Sequence, residues 1–266
     1  MLQCGMSNIT PIFTTHHSIG HSILTADKVE KDENKTPHIS DNKPVSVVAI
    51  AKVHSLPQLI VFDKDISGFW KLYKNSADEG VQLVYGVTLV ACEDEKDKSE
   101  ESAQTESNAT VIFNNSQGYY DFVKIYTHAS THGLHDRKRR IGWAELNSRW
   151  TENLSMMIPF YSSFVARNAM TLNHRAQPVF GSIKPVFRLE SHDLPFDGLI
   201  EKKLRAFCGS EHAIEQTHQI YYYKTSDVMK YLTIGCIARR TVWEKPNLED
   251  FSSDKFSFES FQKLND

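Results

Sequence analysis

The chain is poor in the features that would assign it quickly. Its four cysteines, Cys4, Cys92, Cys208 and Cys236, form no CxxC or CxxH pattern. That argues against a zinc ribbon and a disulfide scaffold and predicts free thiols in a reducing compartment. No apolar run approaches the roughly 20 residues of a membrane span. The opening MLQCGMSNIT lacks the charged-then-apolar order of a signal peptide. The expectation is therefore a cytoplasmic protein with no membrane partner. A formal net charge of −3 excludes a globally basic nucleic-acid binder, though not a local basic patch. There is no P-loop, GxGxxG, HExxH or GxSxG, and no internal repeat.

What is present reads as α/β. The 266 residues, 40% hydrophobic and 24% charged, suit a globular chain. Residues 59–62 (LIVF) make a short branched run fit for a buried strand. Residues 69–79 carry Phe69, Leu72 and Tyr73 at helical spacing, and Gly80 stands where a left-handed C-cap belongs. A second strand follows over 82–90. Strand, helix, strand predicts parallel pairing, with chemistry in the loops at the carboxyl ends of strands, here 62–65 and 87–88. Further strands are expected over 9–15, 110–113, 154–160, 186–189 and 219–223. Helices are expected over 26–31 (capped by Thr25), 46–54, 119–126, from 141, over 199–207 and from Thr225 to Arg239. Residues 93–107, EDEKDKSEESAQTES, read as a charged flexible loop. The tail carries Leu248, Phe251, Phe256, Phe258 and Phe261, too apolar to stay free.

Two clusters invite chemistry. His16, His17 and His21 fall within six residues, which fits either metal ligands or a polar, solvent-facing loop. Arg137, Lys138, Arg139 and Arg140 form a basic run that could contact nucleic-acid phosphates or simply be solvated. At the strand ends only Asp63 is a good hard ligand for a divalent cation.

Four local matches carry a resemblance. They are His17-Ser18 with residues 22–25; Ala51-Lys52, Leu56-Pro57, Phe62-Asp63, Ser67-Gly68 and residues 85–88; Asn114-Asn115 with Gly118-Tyr119; and residues 217–223 with Asp227, residues 234–237, Pro246-Asn247, Ser252, Ser253, Asp254, Phe256 and Phe258. In order and spacing the chain resembles the PHP (polymerase and histidinol phosphatase) domain of bacterial DNA polymerase III alpha subunits. The match is weak over 150–215. The resemblance implies one PHP-like domain over 1–266, folded as a distorted (β/α)7-type barrel of parallel strands with metals at the strand ends. Active members hydrolyse phosphoesters with His, Asp and Glu ligands. Here those ligand positions fall on Phe13, Thr15, Phe62, Thr88, Asn108, Gln219 and Tyr221, with Asp63 beside them. Loss of so many ligands should abolish tight binding of a metal cluster.

Three readings follow. The first is a non-catalytic PHP-like protein without cofactor, binding a protein partner such as a replication polymerase or nuclease. A freestanding copy of this size fits a virus or mobile element, in which case the compartment is the host cytoplasm. The second is a metal-dependent phosphoesterase or 3′–5′ exonuclease using Mn or Zn at a rebuilt site, with ligands from His16, His17, His21, Asp63, His128 and His218. The third is a nucleic-acid module using the basic run.

Overall fold

The structure is a computed structural model that describes residues 9–32, 34–171, 178–242 and 253–265. The expectations placed on Cys4, Pro246, Asn247, Leu248, Phe251 and Ser252 lie outside the described residues. In chain order the elements are β1 (Thr10–Phe13), β2 (Glu30–Lys31), β3 (Pro37–His38), α1 (Val47–Val53), β4 (Leu59–Asp63), α2 (Phe69–Asp78), β5 (Leu83–Cys92), α3 (Glu100–Ala103), β6 (Ser107–Phe113) and α4 (Ser116–Thr131). They continue with β7 (Leu134–His135), β8 (Lys138–Gly142), α5 (Trp143–Ser148), β9 (Leu154–Ile158), α6 (Phe164–Met170), β10 (Val186–Leu189), α7 (Asp197–Cys208), β11 (Ala213–Ile220), α8 (Val228–Arg239) and α9 (Phe258–Asn265).

Backbone pairing orders the main sheet β4-β1-β11-β10-β9-β6-β5-β8-β7, and β4 also pairs with β5. Seven strands thus have a closed pairing order, with β8 and β7 appended. The class is α/β, of the (β/α)7 barrel type. Within the closed seven, β6 departs from the expected parallel arrangement, and the appended β7 is antiparallel to β8. β6 runs antiparallel to both β5 and β9, whereas β1–β4, β1–β11 and β9–β10 are parallel. The chain returns from β5 to β6 through residues 93–106, which hold only the four-residue α3 rather than a full crossover helix.

The chain divides into two compact units. The first comprises Met1–Tyr85, Glu190–Leu194 and Gln216–Asp266; the second comprises Gly86–Leu189 and Pro195–Glu215. In the first unit β4 is buried along its whole length, as its LIVFD sequence requires. Ser46 caps α1 by accepting the Val48 N–H, and Val47 to Ala51 of that helix are buried. Gly80 has φ +67°, the predicted left-handed stop after α2. Phe256, Phe258 and Phe261 are buried as expected, and the Phe258 ring lies 6.0 Å from that of Phe13. The helix expected over 26–31 does not form. Thr25 instead bridges to Ser46 in parallel, and β2 pairs with β3, so the backbone is already committed. In the second unit Asn115 caps α4 by accepting the Gly118 N–H. Val111, Phe122, Ile141, Met156 and Phe187 are among its buried side chains.

Candidate functional site

Asp63, the last residue of β4, is fully buried. Register places Phe13 of β1 opposite Val61 of β4, so the chain leaving β1 runs beside the end of β4. Thr15 donates its backbone N–H to Asp63 Oδ1 and its hydroxyl to Oδ2, each at 2.8 Å. Ser18 donates to Oδ1 at 2.7 Å and accepts the Lys64 N–H at 2.8 Å. The Tyr85 hydroxyl lies 3.1 Å from Oδ2 and 2.9 Å from the Asp65 carbonyl oxygen. Burial pushes the Asp63 carboxyl above its ordinary range, and these donors pull it back. Three donors thus face the carboxylate, and the single Tyr85 hydroxyl proton is shared between it and the Asp65 carbonyl.

The positions that the resemblance assigns to ligands are filled otherwise. Phe13 and Phe62 are buried. Gln219 donates to the Ile12 carbonyl at 3.2 Å and to Thr14 Oγ1 at 3.0 Å, and Thr14 donates on to the Phe62 carbonyl at 2.9 Å. Tyr221 stacks on Tyr231 at 5.3 Å. In the second unit Thr88 shares a hydrogen bond with Thr110 at 2.8 Å, and Asn108 sits opposite Val90 in the β5–β6 ladder. None of these groups offers a carboxylate or imidazole to a cation.

Among the described residues, the six proposed for a rebuilt site form no group of three or more placed to hold a metal ion. His16 is exposed, with Nδ1 3.2 Å from the Leu24 carbonyl, and its ring lies 4.3 Å from that of His17. His17 packs on Gly68, where a Cβ would come within 2.7 Å of the imidazole. Burial, then the neighbouring His16, lowers its pKa. His21 Nε2 faces Lys64 Nζ at 2.8 Å; burial, then the charges of Lys64 and Arg239, push it down to about 3. His218 is buried with Nε2 2.8 Å from the Lys255 carbonyl, and burial lowers it to about 4. His128 belongs to the second unit. There it pairs with Glu95 at 3.1 Å and lies 3.6 Å from Glu145. Among the described residues no group of three or more His, Cys, Asp or Glu is placed to hold a metal ion. The donor set does not fit the metal cluster that the resemblance implies.

No protein-family model matches this sequence. No curated protein matches it either. Among solved structures the chain is similar to a candidate metal-dependent phosphoesterase from Bifidobacterium adolescentis. The identity is 9% and the TM-score 0.37, over 80% of this chain and 88% of that one. The chemistry therefore has to be argued from the side chains.

The basic run also changes character. Asp136 and Arg137 turn a hairpin between β7 and β8, with φ 46° and 61°. Arg139 lies over the Tyr126 ring at 4.9 Å, and Lys138 pairs with Glu106 at 2.9 Å. Arg140 is fully buried. Its Nε is 3.3 Å from Glu106, and its guanidinium donates to the Asp97 carbonyl at 2.8 Å and to Ser102 Oγ at 2.5 Å. So Arg140 is withdrawn from any phosphate-facing surface. The 93–107 run is held to it and is not a free tether. Glu95 is buried too, and accepts the Gly142 N–H. Sequence reasoning missed Tyr85, Glu95 and Glu106, because their partners lie 20 or more residues away. No helix among the described residues is long and apolar enough to cross a membrane.

Proposed function

We propose that this chain is a PHP-like protein whose metal centre has given way to packing and hydrogen bonding. It acts without catalysis, by binding a protein partner in DNA replication or processing. One observation carries the reading: the strand-end carboxylate, Asp63, is closed by Thr15, Ser18 and Tyr85. A divalent cation would have to displace those donors while entering a neighbourhood that includes buried Phe13 and Phe62. The partner class, a replication polymerase or nuclease, follows from the family resemblance.

Metal analysis of the purified protein after dialysis against Mn²⁺ and against Zn²⁺ tests the loss of the centre. Less than one retained equivalent, with no hydrolysis of phosphodiester substrates, is expected. Retention of two or more equivalents would favour the alternative, a metal-dependent phosphoesterase or 3′–5′ exonuclease with a rebuilt site.

A further inference from the structure

Helix α8 is more apolar than its setting accounts for. Its sequence, VMKYLTIGCIAR, carries apolar side chains around the whole circumference, the pattern of a helix that is covered on every side. Yet of its twelve residues Gly235 alone is fully buried. Met229, Thr233 and Ile237, spaced four apart, form an exposed ridge along it. Ile237 is 68% exposed. The loop after β1 extends this face. A Cβ on Gly20 would come within 2.5 Å of Ala238 Cβ, so the loop presses on the last turn of α8, and it carries Ile19, 78% exposed. Val242, two residues beyond the helix end at Arg240, is exposed as well.

Beside the ridge lies a groove of about 770 Å³, lined by Ile23, Ile39, Pro44, Val45, Tyr223 and Ile234 among others. Its lysines and aspartates are matched within the chain: Lys224 with Asp41 at 2.6 Å, Lys230 with Asp227 at 2.7 Å and Lys43 with Glu30 at 2.9 Å. What remains to be covered is mainly apolar, so the groove suits an aliphatic surface better than a charged ligand. A ridge beside a groove is self-complementary about a two-fold axis, because the ridge of each copy can enter the groove of the other. The area agrees. Ile19, Met229, Ile234, Ile237 and Val242 together expose roughly 500 Å² per copy, so a pair buries roughly 1,000 Å² through them alone, the size that a specific interface has to reach.

We propose that this face binds a second copy of the chain, giving a two-fold dimer held by α8, Ile19 and the neighbouring groove. The dimer rests on the exposed apolar surface and is independent of whether the chain is catalytic.

Sedimentation of the full chain over about 1 to 100 μM tests the proposal. A reversible dimer is expected, with a dissociation constant of about 10 μM or tighter. Ile237→Glu and Ile19→Glu should each weaken it by about tenfold or more. Both variants should keep the circular dichroism of the parent, because the two side chains are exposed in the single copy. Trp70→Glu is the control: Trp70 on α2 is as exposed as Ile237 but does not line the groove, and its loss should leave the dimer intact. A chain that stays monomeric at about 100 μM overturns the proposal and leaves the face to a different partner. A dimer that both isoleucine variants keep at full affinity overturns it too, because its interface then lies elsewhere. So does a dimer that Trp70→Glu weakens as much as they do.

Discussion

A carboxylate buried at the end of a strand has to be met by donors, and at Asp63 they come from Thr15, Ser18 and Tyr85. Removing the acceptor leaves several buried donors without a partner, each costing about 1–3 kcal/mol. Asp63→Ala should therefore destabilise the protein by about 3 kcal/mol or more in urea unfolding. A loss below about 1 kcal/mol would mean that water or a rearranged loop replaces the carboxylate. Proton linkage gives a second expectation. An unfolded histidine takes up a proton near 6.5, but buried His218 does so only near 4. Below 6.5 the unfolded chain binds more protons, so the stability contributed by neutral His218 is complete above 6.5 and is lost as pH falls towards 4. His21, lowered to about 3, acts in the same direction. Asp63 acts oppositely: its raised pKa gives a contribution present at low pH and lost as pH rises through the raised value. Between pH 7 and pH 5, His218 should account for about 2 kcal/mol of lost stability. Unfolding curves at the two pH values should show a smaller loss in His218→Gln; an unchanged loss would show that His218 is not the group titrating.

At the scale of elements, residues 93–106 show what composition can and cannot reveal. Their charges make them read as a solvated connection, and many of them are exposed. What orders the run is Arg140, which bonds to Asp97 and Ser102 from 43 and 38 residues further along. Local sequence carries no trace of that pairing. Strands such as β4 and β5 were legible because an apolar run states its own burial. The 26–31 segment was not, because Thr25 engages Ser46 instead of opening a helix. Arg140→Ala should cost about 3–5 kcal/mol, since it takes one ion-pair partner from buried Glu106, which keeps Lys138, and removes the buried bonds to Asp97 and Ser102. It should also expose Lys96 and Lys98 to trypsin at a rate that the parent protein does not show. The β7–β8 turn offers a gentler test. Arg137 sits at φ 61°, where glycine is at ease and a side chain is not. Arg137→Gly should raise stability by about 0.5 kcal/mol, and a fall would show that the arginine makes a contact worth more than its backbone strain.

For the whole molecule, the first unit is assembled from both ends of the chain and a short piece between. Its β1 pairs with β11 through Thr10–Thr217 to Phe13–Ile220, and Phe258 from the last helix stacks on Phe13. Phe258→Ala should cost about 3–5 kcal/mol, read from chemical denaturation, because it opens a cavity against that ring; a cost under about 1 kcal/mol would mean that the tail is dispensable. The same wiring has a consequence during synthesis. Ile12 and Gln219, which share a hydrogen bond, are 207 residues apart. At ribosomal speeds of about 5–20 residues per second, β1 waits roughly 10–40 seconds for its partner. Over that interval β1 can pair with β4 on one edge only, and its other edge stays open, which chaperones could hold and to which a neighbouring nascent chain could add.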